Sequence, residues 1–167
     1  VSTLDAEMLG KMVVSEKNVR VRLKLSCQTL PDTPSANVVG EITGSEKPNE
    51  VIVVGGHLDC WDQGQGAHDD GSGCVQAIEV VQLFKKLGLK PKRTIRAVMF
   101  MNEENGVRGG KAYPVAPERS GEIQYAAIES DRGGFATRGF TVQSDSVVLA
   151  RVQQWRPLFE RLNAGRI

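Results

Sequence analysis

The sequence predicts an α/β fold with a mixed, mostly parallel central sheet flanked by helices. Apolar strand-like segments alternate with a helix-patterned segment in the middle of the chain, which is typical of layered α/β proteins. The run Val51–Val54 is continuous and β-branched, which indicates a strand covered on both faces. Three apolar segments end directly in acidic or histidine residues, and ligand sites in α/β sheets gather at the carboxyl ends of strands.

The elements before this central strand follow from their periodicity. Asp5–Val14 has apolar residues at helical spacing, so it predicts a short amphipathic helix. Val19–Leu25 alternates strictly between apolar and charged residues, which predicts a half-buried strand. Ala36–Ile42 predicts a second strand, and the polar turn Gly44–Asn49 joins it to the central one.

The elements after the central strand are predicted from the same signals. In chain order they are a Gly-rich loop at Asp62–Asp70, a helix at Gly73–Leu87, a buried strand at Thr94–Met101, the start of a helix at Gly109–Tyr113, a buried strand at Ile123–Ile128 and a helix at Ser146–Leu162. Pro157 is expected to interrupt or kink the last helix.

Length and composition set the class of protein. The chain has 167 residues, 40% hydrophobic and 25% charged, which suits one soluble domain or part of a larger one. The formal net charge is +1, so we expect neither nucleic acid nor a membrane as partner. No apolar run approaches the roughly 20 residues that span a bilayer. The first residues lack the features of a signal peptide and an initiator Met, so we expect a chain that was processed or cut from a longer one.

The three cysteines are Cys27, Cys60 and Cys74, an odd number that cannot be fully paired within the chain. None forms a CxxC motif, which argues against a structural zinc knot. A disulfide between Cys60 and Cys74 and buried free thiols are both open alternatives.

The first candidate ligands follow the central strand. His57 and Asp59 leave this strand two residues apart, so their side chains share one side and can form a ligand and its orienting partner. A polar loop after a strand is the alternative. Either acid of Asp69-Asp70, which follow His68, could bridge two metals, and Asp70 or Ser72 could equally be a helix N-cap.

A pair of carboxylates follows each of the next two apolar strands. Glu103-Glu104 come after Thr94–Met101, and Glu129 and Asp131 follow Ile123–Ile128. Two acids at the end of an apolar strand are costly to desolvate unless a cation compensates them, although a solvated turn is the alternative at each place. In an extended segment one glutamate can bind metal while the other faces the substrate.

Oxygen and imidazole ligands without thiolates fit Zn, Mn or Co, and Zn is favoured. Two metals bridged by a carboxylate can hold and deprotonate a water and polarise a peptide carbonyl. A nearby glutamate that binds no metal can then move the proton to the leaving amine.

These motifs together resemble the zinc aminopeptidase and exopeptidase family, in its plasma glutamate carboxypeptidase-like branch. The likeness rests on Val53–Asp62 with its Trp-Asp after HxD, Gly64–Gly73 with its Gly-Gln-Gly before the acidic pair, Leu87–Thr94, and Glu129-Ser130-Asp131. It covers residues 35–131 strongly and the flanks more weakly.

The resemblance implies a role for each candidate residue. His57 would bind one zinc together with Asp131, Asp69 would bridge both zincs, and Glu104 would bind the second. Glu103 would be the general acid/base and Asp59 the orienter of a ligand. Two zinc ions would fill an intact site.

The chain departs from the family pattern in one respect. The family has a second His ligand well downstream of Asp131, whereas this chain has only His57 and His68. We therefore expect a partial catalytic domain at 15–167, truncated at its C-terminus before that His, that binds one or no zinc ion where an intact site would bind two. Residues 1–14 resemble the end of a preceding protease-associated insert or linker.

The leading hypothesis is a metal-dependent exopeptidase, an aminopeptidase or dipeptidase acting on short peptides. The alternatives are a single-zinc acyltransferase like glutaminyl cyclases and a metal-poor fragment with a structural or binding role. The resemblance implies a secreted, periplasmic or lysosomal location, and a homodimer remains open.

Overall fold

The structure is a computed structural model that describes residues 2–16 and 18–167. The chain divides into two compact units, Val1–Pro34 and Ser35–Ile167. The assignment of residues 1–14 to a preceding insert stays a prediction.

The first unit contains one helix, α1 (Thr3–Ser15), which confirms the helix predicted at Asp5–Val14. The helix begins at Ser2, whose hydroxyl accepts a hydrogen bond from the Asp5 N–H at 3.1 Å, while the Asp5 carboxylate accepts from the Ser2 N–H at 3.4 Å. Such a capping box satisfies amide groups that lack partners within the helix. None of the residues of α1 is buried.

The strand predicted at Val19–Leu25 is wrong. These residues form neither helix nor strand, and the apolar side chains of Val21, Leu23 and Leu25 are each about 70% exposed. An alternating pattern becomes a strand only where a neighbouring strand accepts its hydrogen bonds and a second layer covers its apolar face. No strand in the described part of the chain pairs with this segment.

The second unit is built on a four-stranded sheet in the order β1-β3-β2-β4. Its strands are β1 (Val38–Ile42), β2 (Lys47–His57), β3 (Arg93–Phe100) and β4 (Ile123–Glu129). β2 lies parallel to both β3 and β4, whereas β1 runs antiparallel to β3. The predicted mixed, mostly parallel sheet is confirmed. β2 begins earlier than expected, because Lys47 within the predicted turn already pairs with Arg93.

The two faces of the sheet are covered differently. Helix α2 (Ser72–Lys86) packs on one face against β1, β2 and β3, and buries Cys74 and Ala77 there. Alternate residues of a strand point to opposite faces, so Val51 and Val53 lie on the other face, where they form a core with Val98 and Tyr113. Tyr113 directly follows the short helix α3 (Arg108–Ala112) in the sequence.

The expectation that Ile123–Ile128 is buried is wrong, although the strand itself is confirmed as β4. All seven of its residues are exposed, among them Ile123 at 59% and Ile128 at 51%. β4 lies at the edge of the sheet and pairs with β2 alone among the described residues. Local sequence shows that a segment is apolar but not which layers cover it.

The predicted C-terminal helix is two helices, α4 (Ser146–Gln153) and α5 (Arg156–Glu160). The interruption near Pro157 is confirmed, since this proline occupies the first turn of α5, where its missing N–H costs little. Asp145 begins α4 by accepting hydrogen bonds from two backbone amides. Within the described residues, no helix combines the length and the apolar character needed to cross a membrane.

Candidate metal centre

The fold brings the predicted ligands to the end of the sheet where its parallel strands have their carboxyl ends. His57 is the last residue of β2, and Asp131 follows the end of β4 by two residues. Glu103 and Glu104 lie in a turn after β3, and Asp69 lies in the irregular turn Ala67–Gly71 that leads into α2. Because β2, β3 and β4 are mutually parallel, their carboxyl ends share this end of the sheet.

The imidazole of His57 is the centre of the cluster. Its Nε2 lies 2.9 Å from Asp69 Oδ1 and 3.0 Å from Asp131 Oδ1. Its Nδ1 lies 2.8 Å from the backbone carbonyl oxygen of Asp59, a distance at which the ring N–H donates to that oxygen. The lone pair of Nε2 in a neutral ring therefore faces two carboxylate oxygens.

This arrangement requires positive charge, supplied either by a second ring proton or by a metal ion. Burial lowers the pKa of His57, but the Asp59 carbonyl and the neighbouring carboxylates outweigh that effect, so the pKa is raised overall. The ring is 1% exposed, whereas the side chains of Asp69 and Asp131 are 55% and 45% exposed. In the described part of the chain, these three residues are the group whose ligand atoms all lie within 4.8 Å of one another.

Asp59 acts on two neighbours through different atoms. Its backbone carbonyl fixes the ring of His57, while its carboxylate oxygens accept hydrogen bonds from the amides of Glu103 at 2.9 Å and Glu104 at 3.3 Å. The carboxylate comes no closer than 3.8 Å to the His57 ring nitrogen. Asp59 thus positions both the imidazole and the Glu103-Glu104 turn.

The two glutamates of this turn have different surroundings. Glu103 Oε2 lies 3.9 Å from His57 Nε2, and its side chain also lines a groove of about 330 Å³ with Phe100 and Val107. Glu104 Oε1 is buried and, in the part of the chain that the structure describes, has no hydrogen-bond partner. Desolvation, followed by the charge of Asp69, raises the pKa of Glu104. A cation next to Glu104 would compensate the lost hydration and the repulsion from Asp69.

Asp70 has a supporting role that the sequence left open. It is fully buried, and its carboxylate accepts hydrogen bonds from the amides of His57 and Gly73, each at 2.9 Å. Burial raises the pKa of this carboxyl. The N-cap residue of α2 is Gly71, so the N-cap alternative is wrong for Asp70 and Ser72, although the Asp70 carboxylate does accept from an amide in the first turn of the helix. The additional bond to His57 was missed, and the only signal for it is the glycine at position 56.

Gly56 leaves room for this carboxylate, which gives a first prediction. A Cβ at this position would lie 2.6 Å from both Asp70 Oδ2 and the amide nitrogen of Cys74. Gly56→Ala is therefore expected to lower the free energy of unfolding in urea by about 1–3 kcal/mol, as overpacked sites do. Gly40→Ala in β1 is the matched control, because its Cβ would meet no atom within 4 Å. Equal stability of the two variants would contradict the close packing of Asp70 and Cys74 against Gly56.

The three cysteines are all free thiols, so the disulfide left open between Cys60 and Cys74 is not formed. Cys74 is buried and donates its S–H to the carbonyl oxygen of His57 at 3.1 Å. Burial, and then the charge of Asp70, raise the pKa of this thiol to about 11. Its sulfur therefore supports the strand end as a neutral donor.

The comparison with protein families shows the family of the chain. The model of peptidase family M28 matches residues 37–158, a range that contains every candidate ligand. The chain belongs to peptidase family M28. Carboxypeptidase Q of Rattus norvegicus and that of Homo sapiens are each 39% identical to it over 163 residues, which is 98% of this chain and 34% of either relative.

A solved M28 structure shares the fold. The crystal structure of a peptidase M28 precursor from Shewanella amazonensis is similar with a TM-score of 0.65 and 33% sequence identity. The match covers 78% of this chain and 30% of that one. The chain thus spans about a third of the length of the M28 proteins that it matches.

Proposed function

We propose that this chain carries the metal centre of a zinc-dependent exopeptidase that hydrolyses the N-terminal peptide bond of short peptides. The observation that carries the proposal is the His57 imidazole, whose Nε2 faces the oxygens of Asp69 and Asp131 while its Nδ1 is committed to a carbonyl. Membership of peptidase family M28 supports hydrolysis as the reaction.

Two groups of residues would hold the metal ions. His57, Asp69 and Asp131 would hold one zinc, and Asp69 with Glu104 would hold the other. Three protein ligands with a free position are typical of catalytic zinc. Bound zinc would supply Lewis-acid polarisation of the scissile carbonyl and a lowered pKa for water.

The residues of this chain would handle the proton and the positions of the other groups. Glu103 would take a proton from the attacking water and give it to the leaving amine, as a positioned carboxylate can. Asp59 would hold the backbone of Glu103 through the hydrogen bond to its amide. The groove next to Glu103 would admit the substrate from the solvent side. A secreted, periplasmic or lysosomal location stays a prediction.

Zinc titration by calorimetry tests the metal centre. We expect one tight site per chain, because the first group has three ligands and the second has two. Asp131→Asn should weaken that site about 10–100-fold, whereas Glu118→Gln, an exposed carboxylate outside the cluster, should leave it unchanged. Unchanged zinc binding in Asp131→Asn would overturn the assignment of this ligand.

The substrate class is tested with blocked peptides. The zinc-loaded chain is assayed on one dipeptide in three forms, free, N-acetylated and C-amidated. We expect acetylation to abolish cleavage, while amidation preserves it in an aminopeptidase and abolishes it in a dipeptidase. Cleavage that survives acetylation and is lost on amidation would replace the proposed aminopeptidase or dipeptidase specificity by that of a carboxypeptidase, in line with the name of the similar relatives.

A further inference from the structure

His68 precedes a proposed zinc ligand but does not join the cluster around His57. Its ring instead contacts the segment Arg132–Phe135, which follows Asp131. Nδ1 of His68 accepts a hydrogen bond from the amide of Gly134 at 3.3 Å. The ring also meets the ring of Phe135 edge to face, with centroids 5.2 Å apart and planes at 63°.

The backbone of this segment comes close to the His68 ring, although His68 and Phe135 are both exposed to solvent. A Cβ placed on Gly133 would overlap the imidazole of His68, and Gly133 has a positive φ of 91°. The hydroxyl of Ser72 donates to the carbonyl oxygen of His68 at 3.0 Å, which fixes the backbone that carries the ring. The same serine lies beside Gly134, where a Cβ would lie 3.3 Å from Ser72 Cβ.

A second close approach joins the start of α2 to the residue before Asp131. A Cβ on Gly73, at the start of α2, would overlap the carbonyl oxygen of Ser130. The segment that contains Asp131 is therefore bounded by α2 on one side and by His68 on the other. The turn that carries His68 provides the Asp69 oxygen near His57 Nε2, and the segment after β4 provides the Asp131 oxygen.

We propose that His68 is a positioning residue, which holds the segment after Asp131 against the segment carrying Asp69 so that both carboxylates reach His57. The effect on metal binding rests on the proposed metal centre. The contact of His68 with Gly133 and Gly134 is present without metal. Asp131 and Asp69 are more than 40% exposed, so the packing of their own side chains does little to fix them. A fixed separation between the two segments restricts both ligands before the ion binds.

Amide hydrogen exchange of the metal-free chain tests the contact. The Gly134 amide is expected to exchange at least tenfold faster in His68→Ala than in the wild type. His68→Asn should restore part of the protection, because the Asn side-chain oxygen can accept near the position of Nδ1. Equal exchange in the wild type and His68→Ala would overturn the proposal, whatever the zinc affinity of the chain.

A double-mutant cycle tests the consequence for the ligands. His68→Ala and Gly133→Ala should each weaken zinc binding about 10–100-fold, and Co²⁺ bound to either variant should show a shifted visible spectrum. The added methyl of Gly133→Ala should cost much less affinity in the His68→Ala background, since the ring that it overlaps is gone. Strain from the positive φ is the same in both backgrounds and cancels.

The outcomes separate this proposal from the proposed function. Additive effects of the two substitutions, or a wild-type Co²⁺ spectrum in both variants, would show that His68 does not position Asp131. Absence of zinc binding in the wild type would remove the proposed function. The cycle is then measured on the free energy of unfolding of the metal-free chain, where additivity again overturns the contact.

Discussion

Glu103→Gln is expected to reduce peptide hydrolysis by the zinc-loaded chain about 10²–10⁴-fold while leaving zinc affinity within about twofold. The substitution replaces one carboxylate oxygen by an amide nitrogen and removes the proton acceptor. Glu103 Oε2 lies 3.9 Å from His57 Nε2, farther than the oxygens of Asp69 and Asp131. Its amide hydrogen bond to Asp59 survives the change. The measurements are kcat and KM on a free dipeptide, beside a zinc titration.

Glu104→Gln is the matched control, because it makes the same chemical change one residue later. Its buried Oε1 has no hydrogen-bond partner among the described residues, which supports the proposal that this carboxylate holds the second metal ion. We expect weaker binding of that ion, with activity recovered in part at high zinc concentration. If Glu103→Gln weakens zinc binding and Glu104→Gln lowers only kcat, the roles proposed for the two glutamates are exchanged.

The sequence predicted which residues meet, because this depends on topology. A run of β-branched residues ending in His57 and later apolar strands ending in acids are enough to predict parallel strands. Parallel strands bring their carboxyl ends to one edge whatever the details of the loops. The observed distances from His57 Nε2 to Asp69 and Asp131 agree with that prediction.

The sequence did not predict which atoms make the supporting contacts, because this depends on loop conformation. Asp59 reaches the His57 ring with its carbonyl and the next glutamates with its carboxylate, and residue type does not distinguish these uses. Asp70 and His68 are neighbours of one ligand, yet one is buried beneath the strand end and the other packs on Gly133. The glycines that allow these approaches are visible in the sequence, but their partners are not.

Burial was predicted least well, for a related reason. Val19–Leu25 and β4 both have the apolar content of half-buried or buried strands, but their side chains are exposed. Whether such a segment is covered depends on elements distant in sequence. The exposed edge strand β4 therefore carries less of the stability of the second unit than the buried central strands do.

The polar network around Arg96 is expected to carry a large share of that stability. This side chain on β3 is 7% exposed, and its guanidinium donates to Glu41 at 2.6 Å, to the hydroxyl of Tyr113 at 2.9 Å and to both carboxylate oxygens of Glu122 at 2.7 Å. Planar bidentate pairs of this kind are among the strongest charge-assisted hydrogen bonds. Arg96 therefore connects the edge strand β1 to the residue just before β4.

Arg96→Met is expected to lower the free energy of unfolding by about 3 kcal/mol at pH 7. It keeps most of the buried volume but leaves two acids without their partner, and removing one member of a buried ion pair is strongly destabilising. Urea unfolding provides the measurement. Arg156→Met is the control, because Arg156 and Glu160 form an exposed pair four residues apart, for which we expect a loss of about 0.5 kcal/mol or less.

The loss caused by Arg96→Met should depend on pH with a definite sign. The hydrogen bonds from Arg96 are the main cause that lowers the pKa of Glu122, against the opposing effect of burial. A carboxyl with a lowered pKa stabilises the fold above its unfolded pKa of about 4.3, and this contribution is lost as the pH falls through the folded value. In the variant, acid instead neutralises the unpaired Glu122. The difference between wild type and variant should therefore be largest at neutral pH and shrink below about pH 4, and a constant difference down to pH 3 would show that lost packing, not charge pairing, causes the effect.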